Sequence, residues 1–274
     1  NFKYKPIKID VYKLKQELFK LKIENIKDIS IQNLYQNVIN SYIDKIELLS
    51  SLGTTKFLFN SLRYFGRPNA KDLRNAEYLL LLPEIENAPK KQPSLSAQKV
   101  ALKFQETLNE YEIKGTIELT KNIIAKVMVL NSKKTVLINA DAKFTQAEIN
   151  ALAEHEIGVH MVTTMNSANE KLKVFNLGLP VNTKTQEGLA ILSEYLSGNL
   201  TMNRLRKLAL RVVAVDMMCD GNDFKETFMH LTKKYYVEEE VAYDIVARVY
   251  RGGGFTKDFL YLSGFVRIFH FWQN

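Results

Sequence analysis

"TVLINADAKFTQAEINALAEHEIGVHMVTT", residues 135–164, changes its periodicity partway along. Its head is short and β-branched and is bounded by polar residues, which predicts a strand. Its tail opens on Thr145 with Glu148 three residues later, the pattern of a helix capping box. From there Ile149, Leu152, Ala153, Ile157 and Met161 recur at helical spacing. Two further β-branched runs, "GTIELT" and "KVMVLN", precede this stretch and complete three expected strands over roughly 115–139.

Outside that segment the pattern is helical. "LYQNVINSYIDKIELLSSL" and "DLRNAEYLLLL" precede it; "TQEGLAILSEYLSG", "MNRLRKLALRVVAVDMMCDG", "EEEVAYDIVARVYRGGG" and "TKDFLYLSGFVRIFHFW" follow. Pro83, Pro89 and Pro93 mark a linker or an extended crossing segment. Ser94 or Ser96 is placed to cap a helix from near Gln98. The fold class read from this is α+β and mostly helical, with one small sheet just before the histidine-bearing helix. An N-terminal helical region with its linker is expected over 1–93 and a second region over 94–274, or one continuous unit.

The chain has 274 residues, 46% of them hydrophobic and 25% charged, enough for a sizeable core and too apolar for disorder. A single cysteine, Cys219, excludes a disulfide framework and a thiolate metal cluster within the chain, and points to a reducing, cytoplasmic setting. No signal peptide and no membrane-spanning run is visible, since Asp216 and Arg267 interrupt the two longest apolar stretches. The chain opens on Asn1 without a methionine and ends at Asn274 just after an apolar stretch, which leaves trimming at either end open. The net charge of +8 raises a nucleic acid or an acidic peptide as an alternative partner. The lysines are dispersed, however, and the densest run, "YKPIKIDVYKLKQELFKLK", reads as the solvated face of an amphipathic helix.

Within the opening stretch, His155 and His160 flank Glu156 at a spacing of five. On a regular α-helix residues five apart point about 140° apart, too far to share an ion about 2.0–2.1 Å from each nitrogen. One π-type turn with i to i+5 bonding would bring them onto one face. Gly158, between them, tolerates irregular backbone. The competing reading is a Glu156–His160 pair at the edge of the core with His155 as a flanking residue.

"TQEGLAILSEYL" places Glu187 and Glu194 two helical turns apart among Leu189, Ile191, Leu192 and Leu196. Carboxylates in so apolar a helix call for a cationic or hydrogen-bonding partner. Glu187 is the natural third metal ligand beside the two histidines, and Glu194 can orient one of them from behind. The alternative is an ordinary surface helix with both glutamates in solvent.

"HEIGVH" together with "QEGLA" carries a resemblance. The chain resembles the bacterial flavohemoglobin expression-modulating QEGLA-motif proteins, whose eukaryotic relatives are the microtubule-associated tyrosine carboxypeptidases. The likeness runs from "LLSSLGTTKF" to "KDFLYLSG". It implies a zincin-like metallopeptidase with one zinc per chain. On that reading His155, His160 and Glu187 are the ligands, Glu156 is the catalytic glutamate, and a peptide or protein C-terminus is the substrate. Zinc would activate water and polarise the scissile carbonyl, with Glu156 as general base. "TVLIN" is expected to hold an extended peptide by edge pairing.

"RVYRGGGFTKDFLYLSG", residues 248–264, offers Arg248, Arg251 and Lys257 for a terminal carboxylate and Tyr261 as a donor to an oxyanion. Equally it reads as a glycine loop with a solvated basic rim and Asp258 paired to an arginine. The rival functions are a non-catalytic metal-binding regulator of gene expression and a nucleic-acid-binding protein.

Overall fold

The computed structural model describes residues 2–4, 9–83, 94–123, 125–177, 179 and 182–274. In chain order its helices are α1 (Val11–Phe19), α2 (Ile29–Ser50), α3 (Phe57–Phe65), α4 (Ala70–Leu81) and α5 (Ala97–Glu110). Strands β1 (Thr116–Thr120), β2 (Val127–Leu130) and β3 (Thr135–Asn139) follow. Then come α6 (Gln146–Leu152), a π-helix over Ala153–Met161, α7 (Val162–Ala168) and α8 (Thr183–Leu196). Helices α9 (Met202–Cys219), α10 (Phe224–Lys234), α11 (Glu239–Tyr250) and α12 (Leu260–Gln273) complete the chain. The α+β, mostly helical class expected from the sequence is therefore observed. The proline-bearing segment falls largely on 84–93, outside the described residues, and the expected division at 93/94 adjoins it.

Contacts gather the chain into two compact units, each discontinuous in sequence. One is Asn1–Leu82 with Arg206–Ser263; the other is Pro83–Leu205 with Gly264–Asn274.

Among the described residues, the regular structure of the first unit is all helical. It contains α1 to α4, α9 from Arg206 onward, α10, α11 and the first turn of α12. Its core includes Val38, Phe57, Leu208, Val212, Ile245 and Val249. Buried hydroxyls tie the chain together across long sequence distances. Ser61 Oγ accepts from the backbone N–H of Thr256 at 2.9 Å, and Ser263 donates to Asp72. Helix α1 has no fully buried residue and leaves Tyr12 and Phe19 exposed, as befits the solvated helix read from its lysines.

The second unit holds the sheet. Its order is β1-β3-β2, with β1 parallel and β2 antiparallel to β3. Val136 and Ile138 of β3 are fully buried and pack with Phe104 of α5, Phe144, and Ile149 and Ile157 of the helix that follows. Each such side chain contributes about 1.5–3 kcal/mol. The expectation that "TVLIN" offers a free edge is corrected here. β3 is the central strand, and both of its backbone edges are spent on β1 and β2.

The capping box at Thr145 is present, with Glu148 N–H donating to Thr145 Oγ1 and Thr145 N–H donating to Glu148. It fixes where the helix starts, and so which residues face the core.

Candidate metal centre

The helix that begins as α6 does not stay α-helical. Over Ala153–Met161 it widens into a π-helix, and the N–H of Val162 reaches the carbonyl of Ile157, five residues back. Residues five apart therefore stack, and the His155 and His160 rings come to 5.1 Å between centroids. His155 is 5% exposed rather than turned to solvent. Ile149, Ala153, Ile157 and Met161 remain in the core, so the widening redirects the histidines without losing the apolar face.

Gly158 carries no left-handed backbone. A Cβ there would lie 3.0 Å from Glu154 Oε2 and 3.3 Å from the Tyr111 hydroxyl. These two groups hydrogen-bond each other at 3.0 Å across the glycine. Space, rather than an unusual φ, is what this position demands.

Helix α8 packs against the π-helix and brings two carboxylates with it. Glu187 is 6% and Glu194 1% exposed, whereas Leu189 and Leu196 of the same helix are 39% and 55% exposed. The helix thus turns its acids inward and two of its leucines out. Gly188 sets how close α8 lies to α12, since a Cβ there would stand 2.5 Å from the carbonyl oxygen of Gly264.

Glu187 Oε2 lies 3.7 Å from His155 Nε2 and 3.9 Å from His160 Nε2. Donor atoms of all three residues fall within 4.8 Å of one another. Two donors bound at about 2.1 Å in a tetrahedral site stand about 3.4 Å apart, close to the 3.7 and 3.9 Å at which Glu187 meets the two histidines. Two imidazoles and a carboxylate, all sheltered from bulk water, could hold a metal ion. Glu156, half-buried between the two histidines, adds its charge to the same site.

Behind the ligands, His155 Nδ1 lies 2.8 Å from Glu194 Oε1. Glu194 also receives the Nε and Nη2 of Arg204 at 3.2 and 3.1 Å. Burial by itself would raise the Glu194 carboxyl, but the His155 hydrogen bond and the Arg204 charge outweigh it and hold it below its ordinary value. As a carboxylate it accepts, so His155 Nδ1 carries the hydrogen and Nε2 faces Glu187. Burial would likewise lower the His155 imidazole; the nearby Glu187 carboxylate, the hydrogen bond to Glu194 and the Glu156 charge outweigh it and raise it to about 9.

No motif in the sequence points to Arg204 or Tyr111. Neither has a neighbour in sequence that hints at its partner, because both partners arrive through tertiary contact.

Arg248, Arg251, Lys257 and Tyr261 all belong to the first unit. Arg248 gives its Nε and Nη2 to Asp258 at 2.7 and 3.0 Å, the arginine–aspartate pair that the sequence offered as one alternative. Asp258 is fully buried. Burial would raise its carboxyl, yet the charges of Arg211, Arg248 and Arg251 hold it far below the ordinary carboxylate range. The Arg251 guanidinium lies 4.6 Å from the centroid of the Phe255 ring. Lys257 Nζ is 3.4 Å from the Tyr261 hydroxyl, so the two side chains do point one way. The glycines after Arg251 form a tight turn with positive φ at Gly252, Gly253 and Gly254. The amide N–H of Gly252 donates to the Tyr4 hydroxyl.

Fold and site together define a mostly helical α+β protein with a buried His–His–Glu group able to hold a metal ion. Residues 1–274 match the family model described as microtubule-associated tyrosine carboxypeptidase, and the chain belongs to that family. Membership implies a carboxypeptidase-type hydrolase acting on protein C-termini. No curated protein and no solved structure matches the chain. Among the described residues no helix is long and apolar enough to cross a membrane.

Proposed function

We propose that the protein is a zinc-dependent, zincin-like metallocarboxypeptidase that removes C-terminal residues from peptides or proteins. The observation that carries this reading is the convergence of His155, His160 and Glu187, made possible by the π-helix, in a chain of a carboxypeptidase family. The three residues would hold one zinc ion, and two imidazoles with one carboxylate is a donor set that suits it. Bound there, zinc would supply Lewis acidity towards water and the scissile carbonyl. All three ligands and Glu156 fall in 94–274, which we take as the catalytic region.

Glu156 is assigned as general base: it takes a proton from the attacking water and delivers it to the leaving amine. Glu194 fixes the His155 tautomer through Nδ1, leaving the Nε2 lone pair for the ion. Arg248, Arg251 and Lys257 are assigned to recognition of the substrate's terminal carboxylate, and Tyr261 to donation towards the developing oxyanion. Because Asp258 already occupies the Arg248 fork, Arg251 and Lys257 carry the larger share of that recognition. A reducing, cytoplasmic setting belongs to the proposal and is supported by the single cysteine.

The test is elemental analysis of the wild type beside Glu187→Ala, followed by peptide digestion monitored by mass. One zinc per wild-type chain, its loss in the variant, and stepwise removal of C-terminal residues are expected. A carefully prepared wild type that takes up no zinc on titration would overturn the reading.

A further inference from the structure

We infer that Arg204 is a positioning residue for the metal ligand His155 and acts on it through Glu194. The inference rests on the reading of His155, His160 and Glu187 as a metal centre. Glu194 Oε1 accepts from both His155 Nδ1 at 2.8 Å and Arg204 Nη2 at 3.1 Å, and Oε2 accepts from Arg204 Nε at 3.2 Å. Two parallel bonds from a rigid guanidinium fork fix the plane of the carboxylate. A terminal carboxylate torsion is otherwise soft. Held in that plane, Glu194 presents Oε1 to the ring and thereby sets the direction in which Nε2 points.

The local chain explains how Arg204 reaches a residue ten positions earlier. After α8 the backbone reverses at Gly198, which has φ 72°. The amides of Asn199 and Leu200 both donate to the Glu194 carbonyl, each at 2.9 Å. Glu194 therefore organises the turn with its backbone and the metal ligand with its side chain. The first turn of α9 then carries Arg204 back over it. Glu194 is 1% exposed, so losing the fork would leave a buried carboxylate without its cationic clamp. A lysine restores the charge but supplies a point donor in place of the fork.

The experiment measures zinc affinity by competition with a chromophoric chelator, and the visible spectrum of the cobalt-loaded protein, for wild type, Arg204→Gln, Arg204→Lys, Glu194→Gln and the double variant Arg204→Gln/Glu194→Gln. Thermal unfolding of the metal-free proteins is recorded alongside. Arg204→Gln is expected to weaken zinc binding by roughly 10–100-fold and to shift the cobalt bands. Arg204→Lys is expected to weaken it as well, by several-fold, with little change in melting temperature; it keeps the test open if Arg204→Gln does not fold. In the Glu194→Gln background, removing Arg204 should change zinc affinity by less than about twofold, because its effect passes through Glu194. Wild-type zinc affinity in both Arg204 variants, or losses that add in the double variant, would overturn this inference alone. A wild type that binds neither zinc nor cobalt would overturn the metal-centre reading and this inference together.

Discussion

Glu187 Oε2 stands 3.7 Å from His155 Nε2, although the two residues are 32 positions apart and on different helices. That approach exists because one helix opens by a residue per turn at the histidines and the other packs tightly enough to deliver its acid. Both conditions are accessible to mutation.

Gly188→Ala puts a methyl group into the backbone of Gly264. Overpacking of this kind costs about 1–3 kcal/mol, and here backbone rather than a yielding side chain must move. Calorimetry of the variant should show a melting temperature lower by roughly 2–10 °C, together with weaker zinc binding as Glu187 is pushed off its place.

Glu156→Gln separates chemistry from metal binding. The variant should keep the zinc content of the wild type while peptide turnover falls by about 10²–10⁴-fold, the usual worth of a general base. If zinc and activity disappeared in parallel, Glu156 would have to be counted among the ligands.

The metal-free and metal-bound proteins should respond to pH in opposite directions. The His155 pKa is raised from 6.5 to about 9 in the fold. Its protonation therefore stabilises the metal-free protein fully below about 6.5, and that stabilisation is lost as pH rises through 9. Zinc needs the same nitrogen without its proton, so apparent zinc affinity should rise between pH 6.5 and 9. Proton release on zinc addition, followed by calorimetry in buffers of different ionisation enthalpy, reads this directly. No release at pH 7 would contradict it.

Asp258 contributes in the acid range. Its carboxyl lies far below the ordinary 3.8 in the folded chain. The stabilisation is present above that ordinary value and is lost as pH falls below it. Asp258→Asn should cost about 3–5 kcal/mol near neutrality, because Arg248 and the buried Arg211 lose their shared anion. Urea unfolding of the variant should then depend less on pH between about 4 and 2 than that of the wild type.

Much of the architecture was legible because it depends on near neighbours. The Thr145–Glu148 cap, the β-branched runs of the sheet and the apolar stripe from Ile149 to Met161 are patterns within a few residues of each other. Even the π-turn could be anticipated, since two histidines five apart can share an ion only if the helix widens. Gly158 lies within the widened helix, as its tolerance of irregular backbone suggests, and the structure adds that it makes room for Tyr111 and Glu154. The edge role of "TVLIN" failed because strand order is a long-range property. β1 skips β2 in sequence to pair with β3 in parallel, β2 takes β3's other edge, and no local pattern states that.

By itself, then, the amino-acid order determined the helix and strand segments, the spacing of the histidines and the suspicion attached to Glu187 and Glu194. Each of these follows from periodicity or from the cost of an acid among leucines. Only the tertiary structure decided that Glu194 bonds His155 Nδ1, that Arg204 clamps Glu194, and that Asp258 takes the fork of Arg248. Those pairings depend on directions set when separate segments pack, and hydrogen-bond partners chosen by orientation leave no periodic trace along the chain.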